Sequence, residues 1–264
     1  SLRLLFCFFA VVFAPDDILA QQTPLAWKQA GTIPGQNIIC LHATGGEFQG
    51  NPSTVRLLAG TNDGVFRSTN SGATWIQTQG WNKQQVTSFF VANDGTLFAT
   101  TWGNGVYRST NDGASWTASN QGLPPINYET RNMAQCGSRL FVGTSRGLCY
   151  SEDNGNTWDV VIGVSRDVRS LLVLGQTVFA GTLNDGILRS PDGGVTWEFA
   201  NNGLPANARY IVALTVGYQS FGDNLAIFAA TNLGGVVRSL DNGNTWTLLG
   251  NSLIGQTLQC LAIN

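Results

Sequence analysis

The sequence predicts an all-β fold, a β-propeller built from four-stranded antiparallel blades. Three observations carry this. An eight-residue box, Ser-x-Asp/Asn-x-Gly-x-Thr/Ser-Trp, recurs as STNSGATW (Ser68–Trp75), STNDGASW (Ser109–Trp116), SEDNGNTW (Ser151–Trp158), SPDGGVTW (Ser190–Trp197) and SLDNGNTW (Ser239–Trp246). The box tryptophans stand 41, 42, 39 and 49 residues apart, a period that marks a repeat array. The chain holds 32 glycines, many in Asn-Gly, Asp-Gly and Ser-Gly pairs, the chemistry of tight turns between short strands.

The second repeat shows the plan. Gln85–Ala92 reads as a first strand, Asn93-Asp94-Gly95 as a hairpin turn and Thr96–Thr101 as a second strand. Gly103-Asn104-Gly105 turns again, Val106–Ser109 is a third strand, and the box turns the chain into a fourth strand starting at Trp116. Four short antiparallel strands per repeat make a propeller blade. Within each box the Asp or Asn side chain is placed to accept backbone N–H groups two or three residues on. The fifth-position glycine permits φ > 0, and the tryptophan enters the space between blades. The box residues Asn70, Trp75, Asn111, Trp116, Asp153, Trp158, Asp192, Trp197, Asp241 and Trp246 are therefore fold-forming. Their sparse carboxylates do not make calcium loops, and no metal site is expected.

The chain has 264 residues, which the repeats organise as one array. A hydrophobic content of 43% with 11% charge excludes a disordered chain. A net charge of −2 excludes a general electrostatic grip on nucleic acid. At the N-terminus, Leu4–Ala14 (LLFCFFAVVFA) is apolar and follows Arg3. It is too short to span a bilayer and has the form of a secretory signal core, with cleavage after Ala14 or Ala20. Residues 1–20 are thus expected to be a signal segment and residues 21–264 the propeller. The mature chain is placed outside the cytoplasm, secreted, periplasmic or at the cell surface, with no membrane span. Trp27 resembles a fourth strand without the three before it, and Gln256–Ile263 a first strand without the three after it. The expected architecture is five full blades plus partial terminal strands, a fragment of a six- to eight-bladed ring that is incomplete at the C-terminus. Cys7 leaves with the signal; Cys40, Cys136, Cys149 and Cys260 show no metal-like spacing and read as buried free thiols. His42 is the only histidine, which argues against a two-histidine metal site or a Ser-His-Asp triad.

The boxes and the strands before them (GVFRS, GVYRS, GLCYS, GILRS, GVVRS) resemble the Asp-box, or bacterial neuraminidase repeat, family of β-propellers over roughly residues 25–264. That resemblance covers sialidases, xyloglucan hydrolases, sortilin-like receptors and photosystem II assembly factors. It implies a ligand site away from the boxes and no cofactor.

Alternating strands sort the loops onto two faces. The boxes and first turns share one face, with the two insertions Thr44–Ser53 and Gly217–Asn224. The second turns and blade-to-blade linkers share the other. On that linker face Arg131, Arg169 and Arg209 (TRNMA, VRSLL, ARYIV) read as one repeated position beside the central channel. Arg166, Arg146, Lys83, Trp81, Trp102 and Tyr128 are expected on the same side, with Glu129 and Asp167 nearby. Arginines with exposed aromatics suit carboxylate-bearing or glycan ligands, whereas pairing with Glu129 and Asp167 would make them interblade ties. Arg67, Arg108, Arg189 and Arg238, just before the box serines, read as structural. The favoured function is a binding or scaffold module for a glycan, peptide or protein partner on this face. The alternative implied by the resemblance is a glycoside hydrolase of sialidase-like or xyloglucanase-like type. No Arg-Ile-Pro motif precedes the first box, and Glu129 and Asp167 are the one carboxylate pair that could serve as acid and base.

Overall fold

In the computed structural model the described residues are 31–33, 35–44, 56–124, 129–218, 225–250, 252–258 and 261. They form five four-stranded antiparallel sheets, each with its strands in chain order. Blade 1 comprises β1 (Ile38–Thr44), β2 (Arg56–Thr61), β3 (Gly64–Ser68) and β4 (Ile76–Gln77). Blade 2 comprises β5 (Val86–Val91), β6 (Leu97–Thr101), β7 (Val106–Ser109) and β8 (Thr117–Ala118). Blade 3 holds β9 (Thr130–Cys136), β10 (Arg139–Thr144), β11 (Gly147–Ser151) and β12 (Asp159–Val160). Blade 4 holds β13 (Val168–Leu174), β14 (Thr177–Thr182), β15 (Ile187–Ser190) and β16 (Glu198–Phe199). Blade 5 holds β17 (Ile211–Tyr218), β18 (Leu225–Ser239) and β19 (Thr247–Leu248), with β20 (Ile254–Thr257) added to β18. The first strands pack side by side in chain order, β1 to β5 to β9 to β13 to β17.

The second strands are the buried heart of each blade. β6 and β14 have no exposed residue, and Leu58, Phe98, Phe141 and Phe179 are fully buried. Each of these four lies under the box glycine of the following blade. A Cβ on Gly113 would come 2.8 Å from Leu58, on Gly155 2.6 Å from Phe98, on Gly194 2.2 Å from Phe141 and on Gly243 2.5 Å from Phe179. Glycine is required here twice over, by positive φ and by the lack of room for any side chain.

The box side chains close a hydrogen-bonded loop. In blade 3, Ser151 Oγ donates to Asp153 Oδ1 (2.8 Å) and accepts from Gly155 N (2.8 Å). Asp153 accepts from the backbone and hydroxyl of Thr157 at 2.8 and 2.6 Å. The backbone N–H that this carboxylate takes is four residues on, with the left-handed residue Asn154 (φ 56°) between; in blade 4 Asp192 accepts both from Val195 N, three residues on, and from Thr196 N, four on. Where the box carries Asn, the amide reproduces the pattern: Asn70 Oδ1 accepts from Thr74 N and Nδ2 donates to Thr74 Oγ1. Trp116, Trp158 and Trp246 are buried, while Trp75 and Trp197 are partly buried. The indoles of Trp158 and Trp246 donate to Ser119 O and Ala200 O of the preceding blade at 2.8 and 2.9 Å.

These loops have an acid-sensitive component. Hydrogen bonds from Thr157 hold the Asp153 carboxyl at about 2; Thr196 and Thr245 likewise lower Asp192 and Asp241. A depressed folded-state value contributes stability above the unfolded value near ~4 and loses it as pH falls through the folded value. Changing Asp153, Asp192 and Asp241 to Asn should therefore flatten the loss of melting temperature between about pH 4 and about pH 2. Thermal melts across that range read it out; an unchanged slope would refute the assignment.

Cross-blade bonds verify the sorting of loops. Asn154 of the blade 3 box donates to Asp94 in the first turn of blade 2 at 2.6 Å, and Asn242 of the blade 5 box donates to Thr177 at 3.2 Å. The arginines before the boxes reach the next box: Arg67 Nε to Asp112 O (3.0 Å) and Arg189 to Asn242 O (2.9 Å) and Asn244 Oδ1 (2.6 Å). Blade 3 has Tyr150 at that position. There Arg139, stacked on Tyr150 at 4.8 Å, supplies the bond to Gly193 O of the next box.

At the C-terminal end the structure departs from expectation. β20 begins at Ile254, two residues before the expected start of the Gln256–Ile263 strand, and pairs with the turn of β18, Thr257 opposite Asn232 and Ile254 opposite Gly234; residues 259, 260, 262 and 263 lie outside the described residues. The exposed edge at that turn offers backbone groups to pair with. Cys40, Cys136 and Cys149 are free thiols, and burial pushes Cys40 and Cys149 up to about 12. The expected signal segment, Trp27, Cys7, Cys260 and the bodies of both insertions lie outside the described residues.

Candidate ligand-binding face

The linker face is organised by one repeated backbone contact at the start of the first strands of blades 2 to 5. The carbonyls of Gln85, Glu129, Asp167 and Tyr210 each accept, at 2.9 Å, the N–H that follows the last threonine of the same blade's second strand, from Trp102, Ser145, Leu183 and Asn232. Two residues further on stand Thr87, Arg131, Arg169 and Val212. Arg131 and Arg169 are therefore true equivalents, each two residues past an acid.

Arg209 is not the third member of that set. The register pairs Thr130 with Thr144, Val168 with Thr182 and Ile211 with Thr231. Arg209 consequently aligns with Arg166, ahead of the strand, where it ends the 3-10 turn Ala206–Ala208 and its carbonyl accepts from Gly186 N. That turn holds the arginine outside the sheet, and Tyr210 takes the place of the acid.

The side chains at these positions join into one chain across blades 2 to 5. Arg131 forms an ion pair with Glu129 of its own blade. Its Nε lies 3.2 Å from Asp167 Oδ1 of blade 4, at ion-pair distance but without hydrogen-bond alignment. Asp167 Oδ2 accepts from Arg169 at 3.0 Å, and Arg169 donates in turn to the Tyr210 hydroxyl at 3.2 Å. Aromatic rings stand at both ends. The Arg131 guanidinium lies 5.5 Å from the Trp102 ring centre and that of Arg169 5.3 Å from Tyr210, within cation–π range. Arg131, Glu129 and Asp167 are 15%, 19% and 15% exposed, so the charges are largely withdrawn from water, whereas Trp102 is 50% exposed. Burial lowers Arg131 from its ordinary value and Asp167 partly restores it. Arg131 Nε, Arg169 Nε and Asp167 Oδ1 are buried with no hydrogen-bond partner.

Other candidates fall elsewhere. Trp81 is not an open platform. It packs against Tyr107 (4.5 Å) and Trp116 (5.6 Å) and donates to Thr78 Oγ1, because Gly64 leaves room for its ring between blades 1 and 2. Arg166 turns outward to Asp185 (3.4 Å) and the Phe199 ring (5.1 Å). Lys83 and Arg146 are exposed on the linker and second turn, and Tyr128 lies outside the described residues. Sequence reasoning missed Tyr210, whose position relative to Glu129 and Asp167 emerges only from the register. Among the described residues no group of three His, Cys, Asp or Glu is arranged to hold a metal, and no helix is long and apolar enough to cross a membrane.

A model of the DUF6242 beta propeller domain matches residues 83–257, more than half of the chain. The chain belongs to this family. The DUF6242 match runs from the linker before blade 2 through β20 and so contains the whole charged chain just described. No curated protein matches by sequence. Among solved structures, the GH74 enzyme of Niastella koreensis is similar at 19% identity and a TM-score of 0.55, over 76% of this chain and 30% of that one. An ancestral GH74 enzyme is similar at 19% identity and 0.62, over 86% and 32%. YCF48 bound to D1 peptide is similar at 18% and 0.57, over 81% and 69%. The DUF6242 chain thus spans about a third of the length of these GH74 enzymes, and likeness at such identity establishes the shared propeller fold.

Proposed function

We propose that this propeller is a non-catalytic binding module, acting outside the cytoplasm, whose linker face takes a glycan, peptide or protein segment across blades 2 to 5. The observation that carries this reading is the half-exposed Trp102 ring beside a row of mutually paired arginines and carboxylates. Two arginines matched by two carboxylates leave no net attraction for an anion. The ligand favoured is one that brings donors and acceptors together, such as sugar hydroxyls or peptide amides, and lays an apolar face on the indole. The solved relatives support the use of such a fold for either class: GH74 xyloglucanases include the enzyme of Xanthomonas campestris, and YCF48 has been solved with a peptide. The five boxes fit the Asp-box type, which would place them as scaffold.

A glycoside hydrolase is the second reading, favoured by the convergence of Glu129 and Asp167 on Arg131. Both carboxylates are taken up by arginine partners, which favours binding over acid–base work. Turnover of xyloglucan or a sialoside that disappears in Glu129→Gln or Asp167→Asn would establish catalysis instead. For the binding reading, Trp102→Ala should lower affinity for glycan- or peptide-array ligands about tenfold or more while leaving the melting temperature within a degree or two. Undiminished binding to every array ligand would refute it.

A further inference from the structure

We infer that the box face of blade 2 carries a second, separate site, for a small oxyanion, centred on Arg108. The reasoning is a comparison between repeats. The residue before each box serine, an arginine in every blade but blade 3, faces one residue of its blade's fourth strand, and the register pairs Arg189 with Glu198 and Arg108 with Thr117. In blade 4 the Glu198 carboxylate takes the side edge of the guanidinium, at 3.2 Å from Arg189 Nε and 2.7 Å from NH2. In blade 1, Arg67 uses its Nε on Asp112 O. Arg108 has neither. Its NH1 donates to Asn156 Oδ1 of the next box at 2.6 Å, as Arg189 does to Asn244, but its Nε is buried without a hydrogen-bond partner. Among the described residues no carboxylate lies within ion-pair distance of Arg108.

Where blade 4 has its own carboxylate, blade 2 has a cleft of about 260 Å³ lined by Arg108, Ser109, Thr110, Asn111, Ser115 and Thr117. The lining supplies one guanidinium, hydroxyls and a carboxamide, with no acid and no aromatic ring. Ser109 donates to Asn111, Asn111 to Ser115 and Thr117 to Arg108 O, so the guanidinium is the principal donor for a carboxylate or sulfate in this cleft. The cleft is at the small end of ligand sites, which limits it to the acidic group of a small molecule or of one sugar unit. The bound group would stand where Glu198 stands against Arg189. This site is on the face opposite Trp102 and does not depend on the function proposed above.

The test is a melting-temperature titration of the full chain with sodium sulfate and, separately, sodium glucuronate, against sodium chloride at equal ionic strength. The wild type should show a saturable rise of about 2–4 °C with at least one of them. A response to glucuronate alone identifies a planar carboxylate, and one to sulfate alone a tetrahedral anion. Arg108→Gln should abolish the rise. Thr117→Glu, which places a carboxylate as in blade 4, should also abolish it while raising the starting melting temperature, so that loss of the response cannot come from misfolding. No rise in the wild type, or an equal rise in both variants, would overturn the site.

Discussion

Trp158→Ala is expected to cost about 3–5 kcal/mol of stability, the range for removing a large aromatic from a packed interior. Its indole is 2% exposed and donates to Ser119 O of blade 2. Truncation therefore opens a cavity at the interblade seam and strands a buried carbonyl. Trp246→Ala should behave alike, since Trp246 is 2% exposed and bonded to Ala200 O. Trp75→Ala should cost distinctly less, because Trp75 is only partly buried. Urea unfolding of the three variants measures the ranking. Equal losses at Trp75 and Trp158 would mean that the box indoles do not act through the interblade seam.

The second large effect concerns Arg131. Arg131→Ala should destabilise the protein by about 3 kcal/mol, since it leaves Glu129 as an unpaired, largely buried charge and Asp167 with Arg169 alone. The double variant Arg131→Ala with Glu129→Gln should recover part of that loss, because the stranded charge is gone. Chemical denaturation of the two single variants and the double variant forms a coupling test. Strictly additive losses would show that Arg131 and Glu129 are not energetically joined. This effect is also why binding is better probed at Trp102, whose exposed ring contributes little to the fold.

The blade plan was legible from the boxes because their geometry is local. Serine, Asp or Asn, glycine and threonine close one loop on themselves, so the motif carries its own structure. The separation into two faces followed from strand alternation alone, and the bond from Asn154 to Asp94 agrees with it. What could not be read was register at the start of each first strand. ARYIV resembles TRNMA as text, yet a 3-10 turn before β17 shifts Arg209 out of the series and brings Tyr210 in. The packing of Trp81 was hidden for a related reason. Its neighbours Tyr107 and Trp116 belong to the next repeat, and nothing in its own segment announces them. Box glycines were readable as turn residues, but their contact with the preceding blade's Leu58, Phe98, Phe141 and Phe179 required the assembled array.

The central claim is that this propeller binds its partner on the linker face. Hydrogen exchange of the backbone, with and without a saturating ligand selected from a glycan or peptide array, tests it most directly. The account predicts new protection at residues 85–87, 102–105, 129–132 and 167–170, with the box turns unchanged. Protection confined to the box turns, with none at those four segments, would contradict it.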